Sequence, residues 1–437
     1  MEIKAALRLG PGRLVAFTGA GGKSAVLRRL AQELPVSLLT TSTHLGRDQD
    51  SLASQHLVVH AHDELAAIPA RLAAAGSLLV TGELDEVEGK WQGLPVEWID
   101  ELQALTVGSD AAILVEADGA RGRLIKAPAG HEPAIPSRTN LVVPIVGLGA
   151  LGQPLSDQVG HRVERLESVT GLRRGSPIGL EQVAKLLTSP QGSLQGVPPS
   201  AEVRVLLNGA KTEALVESGR ELAGRALNSA RIRAIVLADT GAMDPVVASI
   251  GRTAGIVLAA GGASRMGELK QVMDWRGQPL VRRALKTAQA AGLDPVVLVI
   301  GAEADRVRAA VAGLDVEIVE NGDWRSGQSS SMRAGLAAAR RSAEAAVFLL
   351  ADMPMVSEEL VRRLVRAHQS SLAPIVAPSV DGHRGNPVLF DRSTFEALEQ
   401  VEGDQGGRAL FDRYSVAWVP ADSAAAMDID SPGDWQE

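Results

Sequence analysis

Residues 255–270 run Gly-Ile-Val-Leu-Ala-Ala-Gly-Gly-Ala-Ser-Arg-Met-Gly-Glu-Leu-Lys. The apolar run predicts a short buried strand, Ile256–Ala260, entering a glycine-rich loop that carries Arg265 and ends at Lys270. Such a loop can wrap a nucleoside triphosphate. Leu258, Ala259 and Ala260 lead into it, Gly261, Gly262 and Gly267 let backbone N–H groups approach the phosphates, and Arg265 and Lys270 neutralise them. Further on, Phe348-Leu-Leu-Ala-Asp-Met-Pro354 puts Asp352 at the carboxyl end of another buried strand, where open α/β sheets place their ligands. Asp352 there suits a Mg²⁺ ligand. The cluster Met427-Asp-Ile-Asp-Ser-Pro-Gly-Asp434 offers Asp428 as a second ligand, with Asp430 as the alternative.

A second constellation lies far upstream. Phe17-Thr-Gly-Ala-Gly-Gly-Lys-Ser24 follows the apolar run Leu14–Phe17 and opens a helical pattern. Its Gly19, Gly21 and Gly22 suit a phosphate loop, Lys23 would reach the β- and γ-phosphates, and Ser24 would touch Mg²⁺. Phe17 stands where a strict Walker A sequence has its first glycine. Ile113-Leu-Val-Glu-Ala-Asp-Gly-Ala120 is the matching acidic strand end, where Glu116 or Asp118 could hold Mg²⁺ or orient a water. Thr40-Thr-Ser-Thr-His44 ends another strand and adds hydroxyls and one imidazole.

The elements that must position these residues alternate. Strands are predicted at 36–40, 77–81, 111–115, 141–146, 203–207 and 234–237, and again at 295–300, 316–319, 346–350 and 374–377. Helical patterns such as 24–34, 280–291, 329–340 and 358–370 lie between them, which predicts mostly parallel sheets. Segment 184–200, rich in Ser, Pro, Gly and Gln, reads as a surface loop or subdomain link. Two distant phosphate-loop candidates, each after its own strand, place a domain break between Pro245 and Ala254. The expected units are 1–250 and 254–437, each a three-layer αβα domain of the α/β class. A length of 437 residues accommodates both. Aromatics make up only 3%, so branched aliphatics must fill the cores. A net charge of −8 excludes a global basic field for nucleic acid. The absence of cysteine excludes disulfides and thiolate metal sites. No leader-like N-terminus or bilayer-spanning apolar run is visible, so a cytoplasmic location without membrane contact is expected.

The pattern Leu-Ala-Ala-Gly-x-x-x-Arg-Met-Gly-x-x-Lys resembles the MobA-like nucleotidyltransferases, and the resemblance covers residues 254–437. Residues 427–434 are similar to that family's DIDTPED element. Residues 320–335 are similar to its Asn-Pro-x-Trp segment, with Gly322 in place of the usual Pro. Gly382–Phe390 and Gly403–Arg408 are similar to two loops around the acceptor. The resemblance implies a Rossmann-like nucleotidyltransferase fold and transfer of a nucleotide to a phosphate acceptor, with Ser330, Asn386 and Asp404 at the acceptor. Leu-Ala-Ala-Gly is similar to the cytidylyl-transferring members, of the molybdenum cofactor cytidylyltransferase type, which implies CTP and molybdopterin as substrates. The loop Thr-Gly-Ala-Gly-Gly-Lys-Ser resembles that of Mur-ligase-like ATPases. Together with residues 40–44, 116–120 and 126–136 it resembles the YqeC-type accessory family over residues 12–240. That implies a P-loop-like NTPase fold binding ATP or GTP, and a molybdenum hydroxylase apoenzyme as partner. The alternatives are a sugar- or polyol-phosphate nucleotidyltransferase and a non-catalytic cofactor carrier or insertion chaperone.

Overall fold

The computed structural model describes residues 1–262, 268–423 and 427–428. Contacts divide the chain into two compact units, Met1–Ile250 and Gly251–Glu437.

The first unit is built on nine strands: β1 Leu14–Gly19, β2 Ser37–Thr41, β3 Gln55–Val58, β4 Ser77–Thr81, β5 Ala112–Glu116, β6 Leu141–Gly147, β7 Glu202–Asn208, β8 Ala234–Ala238 and β9 Val246–Gly251. Their order in the sheet is β9-β8-β7-β6-β1-β5-β2-β4-β3. Every pairing from β8 to β3 is parallel, with Phe17 of β1 opposite Val143 on one side and Glu116 on the other. Buried on both faces, these strands read as continuous apolar runs, and successive residues alternate between two cores. Val15 and Phe17 face a core shared with helix α1 (Lys23–Glu33), while Leu14 joins Ile113 and Val115 in another. Because the strands are parallel, the loops after β1, β5, β6 and β7 emerge at one edge. That edge carries the site.

In the second unit, β10 Thr253–Ala259, β11 Val296–Ile300, β12 Glu317–Glu320 and β13 Ala345–Leu350 are followed by β14 Ile375–Val380, β15 His383–Arg384, β16 Val388–Asp391 and β17 Val416–Pro420. The sheet order is β12-β11-β10-β13-β16-β14-β15, with β17 added to β14. The first four are parallel, whereas β16 runs antiparallel to both β13 and β14. Helices 280–290 and 358–371 cover one face of the sheet, and α2 (Gln328–Ala339) covers the other. Both units are therefore α/β with helices layered on a mainly parallel sheet.

The structure corrects two details and fills in a third. Residues 180–188 form a helix whose Val183, Leu186 and Leu187 are buried, so only the remainder of 184–200 is a loop. Apolar spacing outweighed composition there. The stretch 245–254 holds β9 and the start of β10, with Arg252 alone between them. Residues 388–390, expected within a loop, belong to the buried strand Val388–Asp391 of the sheet.

Candidate functional site

In the first unit the loop after β1 is tied down by close backbone packing. Gly19, Gly21 and Gly22 have φ of 85°, 103° and 120°, values open to glycine. A Cβ on Gly21 would stand 2.2 Å from the backbone N of Gly147, and one on Gly19 2.4 Å from the carbonyl of Ile145. Asn208, at the end of β7, donates from Nδ2 to the Gly21 carbonyl at 2.8 Å. Phe17, at the Walker glycine position, is fully buried as a core residue of β1, so the turn starts two residues later.

Lys23 opens α1 with its side chain 4% exposed, and its Nζ donates to the Gly19 carbonyl at 2.6 Å. The same nitrogen lies 3.0 Å from Asp118 Oδ1 and 3.8 Å from Glu116 Oε1. Asp118 Oδ2 accepts from Gly19 N at 3.0 Å and pairs with Lys126 Nζ at 3.1 Å. Lys126, itself wholly buried, also reaches Glu132 at 2.9 Å, and Arg162 holds the other Glu132 oxygen at 3.1 Å. Alternating charges thus run from the loop, through buried Asp118 and Lys126, to Glu132 and Arg162 on the cleft wall. Burial opposes the charged form of Glu132, but hydrogen bonds and charges from Lys126 and Arg162 outweigh it and draw the carboxyl down to about 2. Burial dominates at Glu116, whose carboxyl is pushed up to about 7 against the pull of Lys23. Glu116 Oε2 is buried with no hydrogen-bond partner, and Glu116 lines a cleft of about 730 Å³ together with the loop, His44 and a wall of basic residues. Ser24 Oγ accepts from Gln49 Nε2.

In the second unit, Lys270 Nζ stands 2.5 Å from Asp352 Oδ2, joining the segment after β10 to the end of its neighbour β13. Asp352 Oδ1 is buried with no hydrogen-bond partner. Gln271 donates to the Gly261 carbonyl at 2.8 Å and so fixes the start of the loop. Trp324 closes over it, since a Cβ on Gly262 would lie 3.1 Å from its ring. Met355 and Met427 both pack against Trp275 and Leu280, and Asp428 is exposed. Arg265, Gly267 and Asp430 lie outside the described residues. Leu258, Ala259 and Ala260 are buried and hold the strand end in place.

Ser330 is nearly buried and works within the protein: its hydroxyl accepts from Asn321 Nδ2 at 2.8 Å and donates to the Gly327 carbonyl at 2.8 Å. Asp404 Oδ1 accepts the Gln328 N–H at 3.3 Å, which fastens the loop 403–408 to the start of α2. Gly327 (φ 110°) makes that approach possible, because a Cβ would stand 2.5 Å from the Gly403 carbonyl carbon. Asn386 is half-buried between β15 and β16. Sequence reasoning assigned no role to Gln49, Gln271, Trp324 or Arg162. Of these, Trp324 stood in a quoted motif, and Arg162 gave no signal.

The MobA-like NTP transferase domain matches residues 255–418, and the YqeC family matches residues 15–164. The uncharacterized protein YqeC of Escherichia coli (strain K12) is 32% identical over 42% of this chain and 71% of its own length. The chain is a YqeC domain joined to a MobA-like NTP transferase domain. The transferase domain is similar to nicotine blue oxidoreductase of Paenarthrobacter nicotinovorans, at 36% identity over 40% of this chain and 91% of that one. It is also similar to the molybdenum cofactor cytidylyltransferase of Escherichia coli (strain K12), at 25% over 41% and 92%. Among the described residues of the fusion, no three His, Asp or Glu converge as a metal cage. A hard cation can rest on one or two carboxylates and on the phosphates of a ligand. The partnerless Oδ1 of Asp352 in the transferase domain and Oε2 of Glu116 in the YqeC domain fit such a role. Among the described residues no helix is long and apolar enough to cross a membrane.

Proposed function

We propose that the MobA-like domain is a Mg²⁺-dependent cytidylyltransferase that joins CMP from CTP to molybdopterin and releases pyrophosphate. The YqeC domain, in this reading, binds ATP or GTP on a P-loop-like turn and serves maturation of a molybdenum hydroxylase. The carrying observation is the Lys270–Asp352 pair at the ends of neighbouring strands, next to a loop start held by Gln271. An oxygen of the acceptor phosphate forms a bond to the α-phosphorus of the nucleotide. The bond from that phosphorus to the bridging oxygen breaks, and pyrophosphate leaves with the electron pair. No protein nucleophile is needed, so the residues act by position and charge. Asp352, with Asp428 or Asp430, would hold Mg²⁺, which would supply charge neutralisation at the phosphates. Lys270 exchanges its ion pair with Asp352 for the departing pyrophosphate, aided by Arg265. Backbone groups of Gly261 and Gly262 line the nucleotide, and Trp324 walls it. Ser330 and Asp404 shape the acceptor loop through the contacts described, and Asn386 faces the acceptor. In the YqeC domain, Ser24 and Glu116 would hold Mg²⁺ beside the nucleotide, while Asp118 orients Lys23.

The name of the E. coli cytidylyltransferase supports the substrate pair, while nicotine blue oxidoreductase, at higher identity, carries a redox name on a similar chain. The test is pyrophosphate release from CTP, GTP and ATP with molybdenum cofactor and Mg²⁺. CTP-selective release, lost in Asp352→Ala, supports the reading. Release with GTP overturns the nucleotide assignment, and release only with sugar or polyol phosphates overturns the acceptor. No release with any pair, alongside dye reduction by a nicotinamide donor, replaces transfer with redox chemistry.

A further inference from the structure

The cleft of the YqeC domain has a second charged wall that the phosphate loop leaves unused. The chain as a whole carries a charge of −8. Yet this cleft is lined by Lys23, Lys90, Arg121, Arg123 and Arg162 against only Glu116 and Glu132. Pairing does not cancel the excess. Both Glu132 oxygens are taken, by Lys126 and Arg162. Lys90 has Glu88 at 2.9 Å, but the side chains of Arg121 and Arg123 make no hydrogen bond or ion pair among the described residues. Arg162 uses Nη2 on Glu132, while its Nε is buried with no partner. A buried guanidinium donor without an acceptor costs free energy unless a ligand supplies one. His161 beside it reports the same field. Burial first, then the charges of Lys126 and Arg162, with Arg121 adding to them and Glu132 opposing, hold its imidazole below the ordinary value.

We propose that Arg121, Arg123 and Arg162 form a second anion subsite, which holds the phosphate or carboxylate of a second substrate while the loop at Gly19–Ser24 holds a nucleotide. The YqeC domain is then a two-substrate site. This rests on the reading of that loop as a phosphate binder. Guanidinium forks match the paired oxygens of either oxyanion, and Arg121, Arg123 and Arg162 all line the cleft. A cleft of about 730 Å³ falls within the range of pockets that enclose whole small molecules, with room beyond a triphosphate tail.

The experiment is calorimetry on the full chain, saturated with Mg²⁺ and a non-hydrolysable ATP or GTP analogue, then titrated with inorganic phosphate or with malonate. The comparison protein carries Arg121→Gln and Arg123→Gln. The transferase domain contributes equally to both, so the difference isolates the cleft. We expect wild type to take one more anion per chain than the variant, or to bind it at least about tenfold more tightly, at equal nucleotide affinity. Whether phosphate or malonate gives that difference names the oxyanion. In the same samples the NMR titration midpoint of His161 rises with the anion in wild type only. Loss of nucleotide affinity in the variant, with no extra anion in nucleotide-saturated wild type, overturns the proposal and puts the arginines on the nucleotide. Equal anion binding by both proteins also overturns it. If Lys23→Ala leaves nucleotide affinity unchanged, the reading of the loop fails by itself, while an anion lost only with the arginines still upholds the subsite.

Discussion

The two domains use one plan, a parallel strand, a glycine-rich turn, a lysine and an acid at the next strand end, yet they load it differently. In the YqeC domain Lys23 and Asp118 are 4% and 2% exposed and belong to a buried chain of charges. In the transferase domain Lys270 and Asp352 are 23% and 21% exposed and face one another across the ends of neighbouring segments. A buried pair that loses one member leaves an uncompensated charge inside the fold, whereas a partly exposed pair keeps access to solvent. The same residue types are therefore enclosed within the fold in one domain and partly exposed in the other.

The strongest test of that contrast removes the acid from each. Asp352→Ala should cut pyrophosphate release by roughly 10²–10³-fold, the scale seen when one stabilising contact to developing charge is lost. Its fold should hold, with hydrogen exchange in β10 and β13 unchanged. Asp118→Ala should leave Lys23 and Lys126 buried beside each other without their shared counter-ion and cost about 3–5 kcal/mol. Amides of β1 and β5 would then exchange faster, while pyrophosphate release persists. Equal loss of protection in both variants would erase the distinction.

The turns differ in the same sense. A Cβ on Gly21 meets the Gly147 backbone at 2.2 Å, while one on Gly261 meets only Gln271 at 3.7 Å. Gly21→Ala adds a positive φ of 103° to that clash and should destabilise the YqeC domain by about 2–3 kcal/mol. Gly261→Ala should change stability by less than about 0.5 kcal/mol. Thermal unfolding of each variant checks both. A well-folded Gly21→Ala would show the first turn to be as tolerant as the second.

The sheets, and the positions of the lysines and acids at their strand ends, were legible because each depends on local pattern: an apolar run, a glycine turn, then an acid at a strand end. That each lysine faces its acid was not. Residues supplied from a distance were not. Gln49 reaches Ser24 from 25 positions away, and Arg162 reaches Glu132 from beyond the next strand. Nothing in their own neighbourhoods marks them. Ser330 and Asp404 were found through resemblance, but their hydrogen bonds lie within the protein, which only packing reveals. Helix 180–188 was missed because Ser, Pro and Gly after it coloured the whole stretch as loop.

Acid should separate the domains by a smaller margin. The Glu132 carboxyl is held near 2, below its ordinary 4.5, so between those values the unfolded chain binds more protons than the folded one. Its contribution is fully present above about pH 4.5 and is lost as pH falls towards about 2. Denaturation of the YqeC domain should steepen across that window. Glu132→Gln, less stable at neutral pH, should flatten the curve, and an unchanged slope would mean that Lys126 and Arg162 do not act through this carboxylate.

The smallest expected effect concerns Gln49, which occupies the Ser24 hydroxyl that a nucleotide-bound cation would need. A ligand must displace that hydrogen bond before using Ser24, and the net value of such a bond is about 0.5–1.5 kcal/mol. Gln49→Ala should therefore tighten Mg²⁺-nucleotide binding by about two- to tenfold, with little change without Mg²⁺. No equivalent side chain is seen guarding the transferase site among the described residues: its lysine and acid guard each other. Weaker Mg²⁺-nucleotide binding in Gln49→Ala would show that Gln49 orients Ser24 for the ligand. The YqeC loop would then be preformed, and the exchangeable pair of the transferase domain would be the only contact of the two that must open.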